Sequence, residues 1–313
     1  MTTMESATNT GELAQPIAPL AARRPLVEVL SDYLALTKPR IIALLLVTTL
    51  ATMFVADPSG PALATILWTM LGGYLAAGGA GAINQYLERD RDARMARTCG
   101  RPLVAGRIEP RRGLIFGIAL GALAIAELTL TVNVLAAALA LAGLLGYVFV
   151  YTLWLKPLTP QNIVIGGAAG AVPPLVGWAA ATGGLALDAL YPFAVVFLWT
   201  PPHFWALALL VKDDYERTGI PMLPVARGEA ATRRQILAYG LALVAFTAVP
   251  FFTGLFGALY LAVALALGAC FAGLAVHLAL RPSREAAVRL HLGSLAYLAL
   301  LFAAMGVDRV ILG

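Results

Sequence analysis

Asn84, Glu88 and Asp92 stand at i, i+4 and i+8 in a run that begins inside an apolar segment and ends among charges. On one continuous helix they drift only about 80° round the axis and form a single polar stripe. Two carboxylates and an amide oxygen are hard donors that suit Mg²⁺, which takes one or two carboxylates and completes its shell with water and substrate phosphate. The chemistry indicated is a grip on a diphosphate. Charges at the end of a membrane helix also mark where hydrocarbon stops, and that plainer reading covers Asp90, Arg91 and Arg94. Asn84 lies roughly 6 Å before Glu88 along the helix, where an amide without partners is costly.

A second acidic group, Lys212-Asp213-Asp214-Tyr215, closes a later apolar run that contains Thr200-Pro201-Pro202-His203-Phe204-Trp205. A cavity between the two acidic groups would hold two metal ions and a diphosphate. If the helix continues, His203 and Asp214, eleven residues apart, return to within about 20° of one face, roughly 16 Å from each other. His203 then has two readings: contact with a bulky buried substrate, or an interhelical hydrogen bond. The charge that metals leave over needs basic residues. Candidates are Lys38, Arg40, Arg89, Arg97, Arg101, Lys156 and Lys212, and Lys156 is the only cation in its loop. Glu127, inside the third span, reads as protonated or hydrogen-bonded and not as catalytic.

The elements that must position these groups are membrane helices. Of 313 residues, 60% are hydrophobic and 12% charged, against about 25% charged in soluble domains, and mean hydropathy is +0.82. Cys99 and Cys270 have no partner pattern and read as free thiols. The net charge of +5 sits in short loops where topology accounts for it, so nucleic acid is excluded as a partner. Residues 1–30 read as a flexible cytoplasmic tail without signal- or transit-peptide character, which favours a bacterial plasma (inner) membrane. Apolar runs at about 41–56, 62–87, 113–131, 133–152, 163–182, 190–211, 235–254, 256–279 and 290–307 are each long enough to cross roughly 30 Å of hydrocarbon. With nine spans and the N-terminus inside, 21 of the 22 basic residues fall on the cytoplasmic side and only Arg309 lies outside. That bias supports nine spans, N-in and C-out, with both acidic groups at the inner rim. The expected fold is an all-α polytopic bundle forming one domain over 31–313.

Two acidic groups at the ends of the second and sixth spans resemble the UbiA superfamily of intramembrane prenyltransferases, whose first motif, Asn-x3-Asp-x3-Asp, appears here as Asn84, Glu88 and Asp92. Within it the chain is similar to the branch that farnesylates haem. That likeness is carried by Leu36-Thr37-Lys38-Pro39-Arg40, Arg101-Pro102-Leu103, Tyr151-Thr152 with Lys156, Thr159-Pro160-Gln161-Asn162-Ile163, Pro201-Pro202-His203-Phe204-Trp205, Asp214-Tyr215 and Pro221-Met222-Leu223-Pro224. Departures are Glu88 for the motif's middle Asp, Pro157 where relatives often carry another basic residue, and Thr218 where quinone-acting relatives carry a second Asp, which implies a second metal held by Asp214 with help from Asp213 or water. The resemblance implies a UbiA-type bundle that uses Mg²⁺ to join farnesyl diphosphate to haem b, with haem as substrate and not cofactor. It adds Tyr151 and Asn162 to the substrate-binding candidates, Tyr215, Tyr151 and His203 as candidate bases, and a haem A synthase as a candidate partner to receive the product. Competing readings are a prenyltransferase for an aromatic quinone precursor and a transporter or haem carrier. Against the carrier, the acids cluster at one rim and no repeated halves with broken helices are visible.

Overall fold

The computed structural model describes residues 24–312, and all regular structure among them is helical. Residues 1–23 of the expected tail lie outside the described residues. From Leu26 the chain is already helical, four residues before the expected end of the tail, because Leu26, Val27 and Leu30 extend an apolar stripe into it.

A short α1 (Leu26–Thr37) precedes the first span, α2 (Pro39–Ala56). The second and third spans are α3 (Leu63–Asp92) and α4 (Pro110–Thr131). The fourth span, Val134–Leu158, comprises α5 (Val134–Leu145), a π-helical stretch (Gly146–Leu155) and α6 (Lys156–Leu158). The fifth is α7 (Asn162–Gly170) and α8 (Val172–Thr182), stepped at Ala171 ahead of Pro173 and Pro174. The sixth is α9 (Leu190–Leu210), followed by two short helices, α10 (Lys212–Thr218) and α11 (Leu223–Ala226). The last three spans are α12 (Gly228–Phe252), α13 (Ala258–Leu280) and α14 (Arg284–Leu312). Among the described residues nine helices or helix pairs are long and apolar enough to cross a membrane, in agreement with the nine apolar runs.

Small residues set the packing of the first half. Gly79 of α3 meets Gly117 and Gly121 of α4 so closely that a Cβ on Gly79 would stand 2.7 Å from the Gly117 carbonyl oxygen. Such contact is what drives association where lipid removes any solvent-based hydrophobic force. The second half packs larger groups, with Trp205, Tyr260, Phe271 and Phe302 fully enclosed. Large apolar side chains such as Leu130, Phe149, Trp154 and Phe252 point outward, as a lipid-facing surface requires. α2 joins the halves by packing on α3, α8 and α14. At the end opposite the acidic groups, buried Asp308 accepts from the Gly257 N–H at 2.7 Å and the Tyr260 N–H at 2.9 Å, which caps α13. Arg309 donates there to the Val55 and Leu255 carbonyls.

Candidate active site

Asn84, Glu88 and Asp92 are all buried on α3, and each is bonded to a cation from a different element. Lys38 donates to Asn84 Oδ1 at 2.8 Å. Asn84 Nδ2 in turn donates to Glu88 Oε2 at 2.9 Å and to Thr152 Oγ1 at 3.1 Å. Lys156 pairs with Glu88 Oε1. Arg101 pairs with Asp92 Oδ2 at 2.5 Å, while Thr98 Oγ1 donates to the Asp92 carbonyl at 3.0 Å.

Local structure explains how these groups reach α3. Lys38 has φ 60° and ψ 58°, the only positive φ outside glycine among the described residues. That left-handed turn costs roughly 1–2 kcal/mol. It ends α1, lets Pro39 start α2, and turns the ammonium onto Asn84. Gln85 fastens the same junction by donating to the Leu36 carbonyl at 3.0 Å. In the fourth span the π stretch widens the turn, and Thr152 Oγ1 donates back to the Tyr147 carbonyl, five residues earlier, at 2.8 Å. π segments are rare and concentrate at functional sites. Here the π segment presents Thr152 and Lys156 to Asn84 and Glu88.

Asp214 joins from α10. Its carboxylate accepts the backbone N–H of Ala96 at 3.1 Å and of Arg97 at 3.4 Å, and pairs with Arg217. The two acidic groups therefore share one end of the bundle, linked through the turn after Asp92. Burial alone would raise the Asp214 carboxyl, but the Ala96 N–H, Arg217 and the Arg97 N–H outweigh it and hold the group below its ordinary value. Burial pushes the Tyr215 phenol up, so it stays a neutral hydroxyl. Lys38, removed from water and facing Arg101 and Lys156, is pushed down to about 7, with Glu88 and Asp92 pulling the other way.

Several expected site residues are elsewhere. The helix does not continue from His203 to Asp214, because Val211 leaves helical geometry at φ −122° and ψ 29°. The two therefore do not share a face, and the His203 ring turns to Ser294 of α14 at 2.7 Å. That favours the interhelical reading, since Pro201 and Pro202 fix where α9 buries its next turn. Asp213 is exposed while Asp214 faces inward. Arg89 lies over the Tyr86 ring at 4.8 Å and pairs with Asp90 at 3.6 Å, away from the stripe. Lys212 is turned to Glu229 at 3.5 Å. Arg40 is exposed, and Arg97 contributes its backbone N–H to Asp214 while its side chain is exposed. Tyr151 is buried and stacks on Tyr147 at 5.6 Å. Asn162 donates to the Thr159 carbonyl at 2.6 Å, and its buried Oδ1 has no partner among the described residues. Glu127 is hydrogen-bonded by Thr131 at 2.9 Å, as its position in the third span predicts. Thr152, Thr98, Gln85 and Arg217 are additions to the expected site residues. Arg217 is findable from sequence, three residues after Asp214 on one helix, and Thr152 stands inside the Tyr151-Thr152 run that carries the family likeness; Thr98 and Gln85 carry no signal beyond polarity.

Among the described residues no three His, Cys, Asp or Glu side chains converge into a metal-ligating cluster. The donor set nevertheless fits Mg²⁺ in kind. It is made of oxygen, it lines one buried helix face, and Mg²⁺ asks for only one or two carboxylates alongside water and phosphate.

The UbiA prenyltransferase family pattern matches residues 45–304. The chain belongs to that family. It is 52% identical over 287 residues to the protoheme IX farnesyltransferase of Roseiflexus sp. (strain RS-1), covering 90% of this chain and 53% of that protein. It is 54% identical over 283 residues to the protoheme IX farnesyltransferase of Symbiobacterium thermophilum, covering 90% of this chain and 95% of that one. Several curated relatives are longer, and the chain spans about half their length. A solved structure of a UbiA homolog from Archaeoglobus fulgidus bound to DMAPP and Mg²⁺ superposes with a TM-score of 0.70 at 17% identity, over 90% of this chain and 100% of that one. The likeness shows that the UbiA bundle is this chain's fold.

Proposed function

We propose that the chain is an intramembrane prenyltransferase that joins farnesyl diphosphate, haem b and water into haem O and diphosphate. The observation that carries the chemistry is the buried row Asn84, Glu88 and Asp92, each matched to a cation from another element. The relatives support haem as the acceptor, being protoheme IX farnesyltransferases at about half identity.

Asn84, Glu88, Asp92 and Asp214 would hold Mg²⁺, which supplies Lewis acidity toward a diphosphate. Lys38, Arg101 and Lys156 now balance the acidic row. Beside a bound diphosphate they would neutralise the leaving group as the allylic C–O bond breaks with its electron pair on oxygen. Apolar helix walls around the bound prenyl chain would keep water from the carbocation. A haem vinyl group attacks the allylic carbon to form the C–C bond, water adds to the resulting cation, and one proton leaves. Tyr215, a buried neutral phenol beside Asp214, is a candidate to relay it, its hydroxyl oxygen accepting that proton as it releases its own. Positive-inside bias supports a bacterial inner membrane with this rim in the cytoplasm, where a haem A synthase could receive the product.

The test is direct. Purified protein with haem b, farnesyl diphosphate and Mg²⁺, followed by mass analysis of the haem, is expected to yield a hydroxyethylfarnesyl haem. Prenylation of 4-hydroxybenzoate in place of haem would transfer the reading to quinone precursors, and flux into proteoliposomes without covalent product would revive a carrier.

A further inference from the structure

Away from the acidic row, three aromatic rings stack inside the second half of the bundle. His203 lies 4.2 Å from Trp199 at an interplanar angle of 16° and 4.4 Å from His291 of α14 at 23°. Two rings that close and that parallel cannot share one face of the imidazole, so His203 is the middle of a sandwich. Hydrogen bonds then fix both tautomers. The Ser294 hydroxyl gives its single proton to the His291 carbonyl at 2.6 Å, so it accepts from His203 Nδ1 at 2.7 Å. His291 Nδ1 is 3.3 Å from the His203 carbonyl, which can only accept, so His291 also donates through Nδ1. Each neutral ring is left with its lone pair on Nε2, and neither Nε2 has a hydrogen-bond partner among the described residues. An imidazole anchored through Nδ1–H with Nε2 free is the arrangement of metal-ligating histidines, whose other nitrogen donates to an oxygen.

The two rings differ in access. His203 is buried between two rings, whereas His291 is only partly buried. A cavity of about 260 Å³ lies next along α14, lined by Leu210 of α9, Glu229 and Arg233 of α12 and Arg284 and Ala287 of α14, and it stops one turn short of His291. Ala287 is one turn before His291, and Arg284 precedes it by seven residues, roughly 10 Å of rise on nearly the same face. That spacing suits a planar macrocycle with a metal at its centre and carboxylates at its edge. Glu229 in the same cavity is already shared by Lys212 at 3.5 Å and Arg233 at 3.6 Å, which leaves Arg284 as the cation facing the opening.

We infer that His291 Nε2 is the axial ligand for the iron of a carboxylate-bearing tetrapyrrole, with His203 and Ser294 as positioning residues and Arg284 receiving a propionate. This rests on the proposed reading of haem b as substrate. It adds where the iron is held.

The experiment uses the purified full chain with ferrous haem b and reads the iron–histidine stretch by resonance Raman, together with haem affinity. His291→Ala is expected to lose that band and weaken haem b at least tenfold, with millimolar imidazole restoring the band. His203→Phe, which keeps a ring in the stack, is expected to retain it. Arg284→Ala is expected to weaken haem b but not its dimethyl ester. An unchanged band in His291→Ala, or a band lost in His203→Phe and kept in His291→Ala, overturns the assignment. If the wild-type chain makes farnesylated haem while His291→Ala shows an unaltered spectrum, only this inference fails. If the wild-type chain binds no haem b, the functional reading fails with it. Equal gel-filtration profiles and thermal unfolding of the variants separate loss of ligation from loss of fold.

Discussion

At the scale of single residues, the site consists of opposite charges held out of water, and such pairs are defined by what happens when one partner goes. The Glu88 and Lys156 side chains are only 5% and 12% exposed. Removing Lys156 leaves a buried carboxylate with one amide for company, a change that costs about 3–5 kcal/mol. Lys156→Ala should therefore lower the unfolding temperature in detergent and cut turnover roughly 10²-fold, as loss of one charge-stabilising donor does. Adding Glu88→Gln removes the stranded charge, so the double variant should recover stability while turnover stays low. Recovery of turnover as well would mean that the pair is structural. Asp92→Ala is expected to abolish product formation with the protein still in the membrane, and near-normal turnover would remove Asp92 from the metal-ligand set. The acidic row itself is legible from spacing, because i, i+4 and i+8 need only one unbroken helix. Its partners are less so: Lys156 and Arg101 can be named as cations, but which carboxylate each meets depends on register between helices far apart in the chain. Arg89 and Lys212 depart from expectation for the same reason, since charge density does not reveal that Tyr86 and Glu229 claim them first.

At the scale of elements, hydropathy locates every span, while breaks within spans escape it. The π stretch from Gly146 to Leu155, the step at Ala171 and the break at Val211 leave the apolar pattern intact and rotate the residues beyond them, which is why His203 and Asp214 part. Two elements invite tests. Gly79 and Gly117 hold α3 against α4, and a side chain at position 79 meets backbone that cannot yield. Gly79→Leu should destabilise by about 1–3 kcal/mol or more, read as a lower unfolding temperature, and should shift the acidic row enough to reduce turnover. The other is the strap that ties α1 to the turn after α3. Asp32 accepts from Arg24 at 2.6 Å and Arg107 at 2.9 Å, and Arg107 also donates to the Gly100 carbonyl. Burial would raise this carboxyl, but the two guanidinium groups outweigh it and lower it. A carboxyl lowered on folding contributes stability above its unfolded value of about 4, and that contribution is lost as pH falls through the folded value. Amide exchange in α1 should accelerate selectively below about pH 4, and Asp32→Asn should show fast exchange at every pH. A pH-independent α1 in the native chain would show that the strap does not hold it.

At the scale of the whole molecule, the proposal requires the acidic rim to face the compartment that supplies both substrates, and the chain carries its own reporters of orientation. Cys99 and Cys270 are both free and exposed, and the proposed membrane placement would put them in different media. Cys99 lies in the polar turn between α3 and α4, in a basic loop with Arg94, Arg97 and Arg101 close by in the chain, whereas Cys270 sits midway along α13 with Gly268 and Phe271 packed inward beside it. A membrane-impermeant maleimide reacts with thiolate, which forms in water and not in hydrocarbon. If the basic loops are cytoplasmic, inside-out vesicles should be labelled at Cys99, intact spheroplasts should not, and Cys270 should stay unlabelled in both until detergent is added. A cysteine placed at Leu312, just beyond Arg309, should give the reverse pattern if all nine helices cross, because an odd number of crossings would put Cys99 and Leu312 on opposite sides. Labelling of Cys99 from outside would turn the whole bundle over and place the diphosphate site away from the compartment in which prenyl diphosphates and haem b would have to reach it. Labelling of Cys99 and Leu312→Cys from the same side would instead mean that one of the nine helices does not cross. The site would keep its internal geometry in that case, but the positive-inside argument that oriented it would lose its basis.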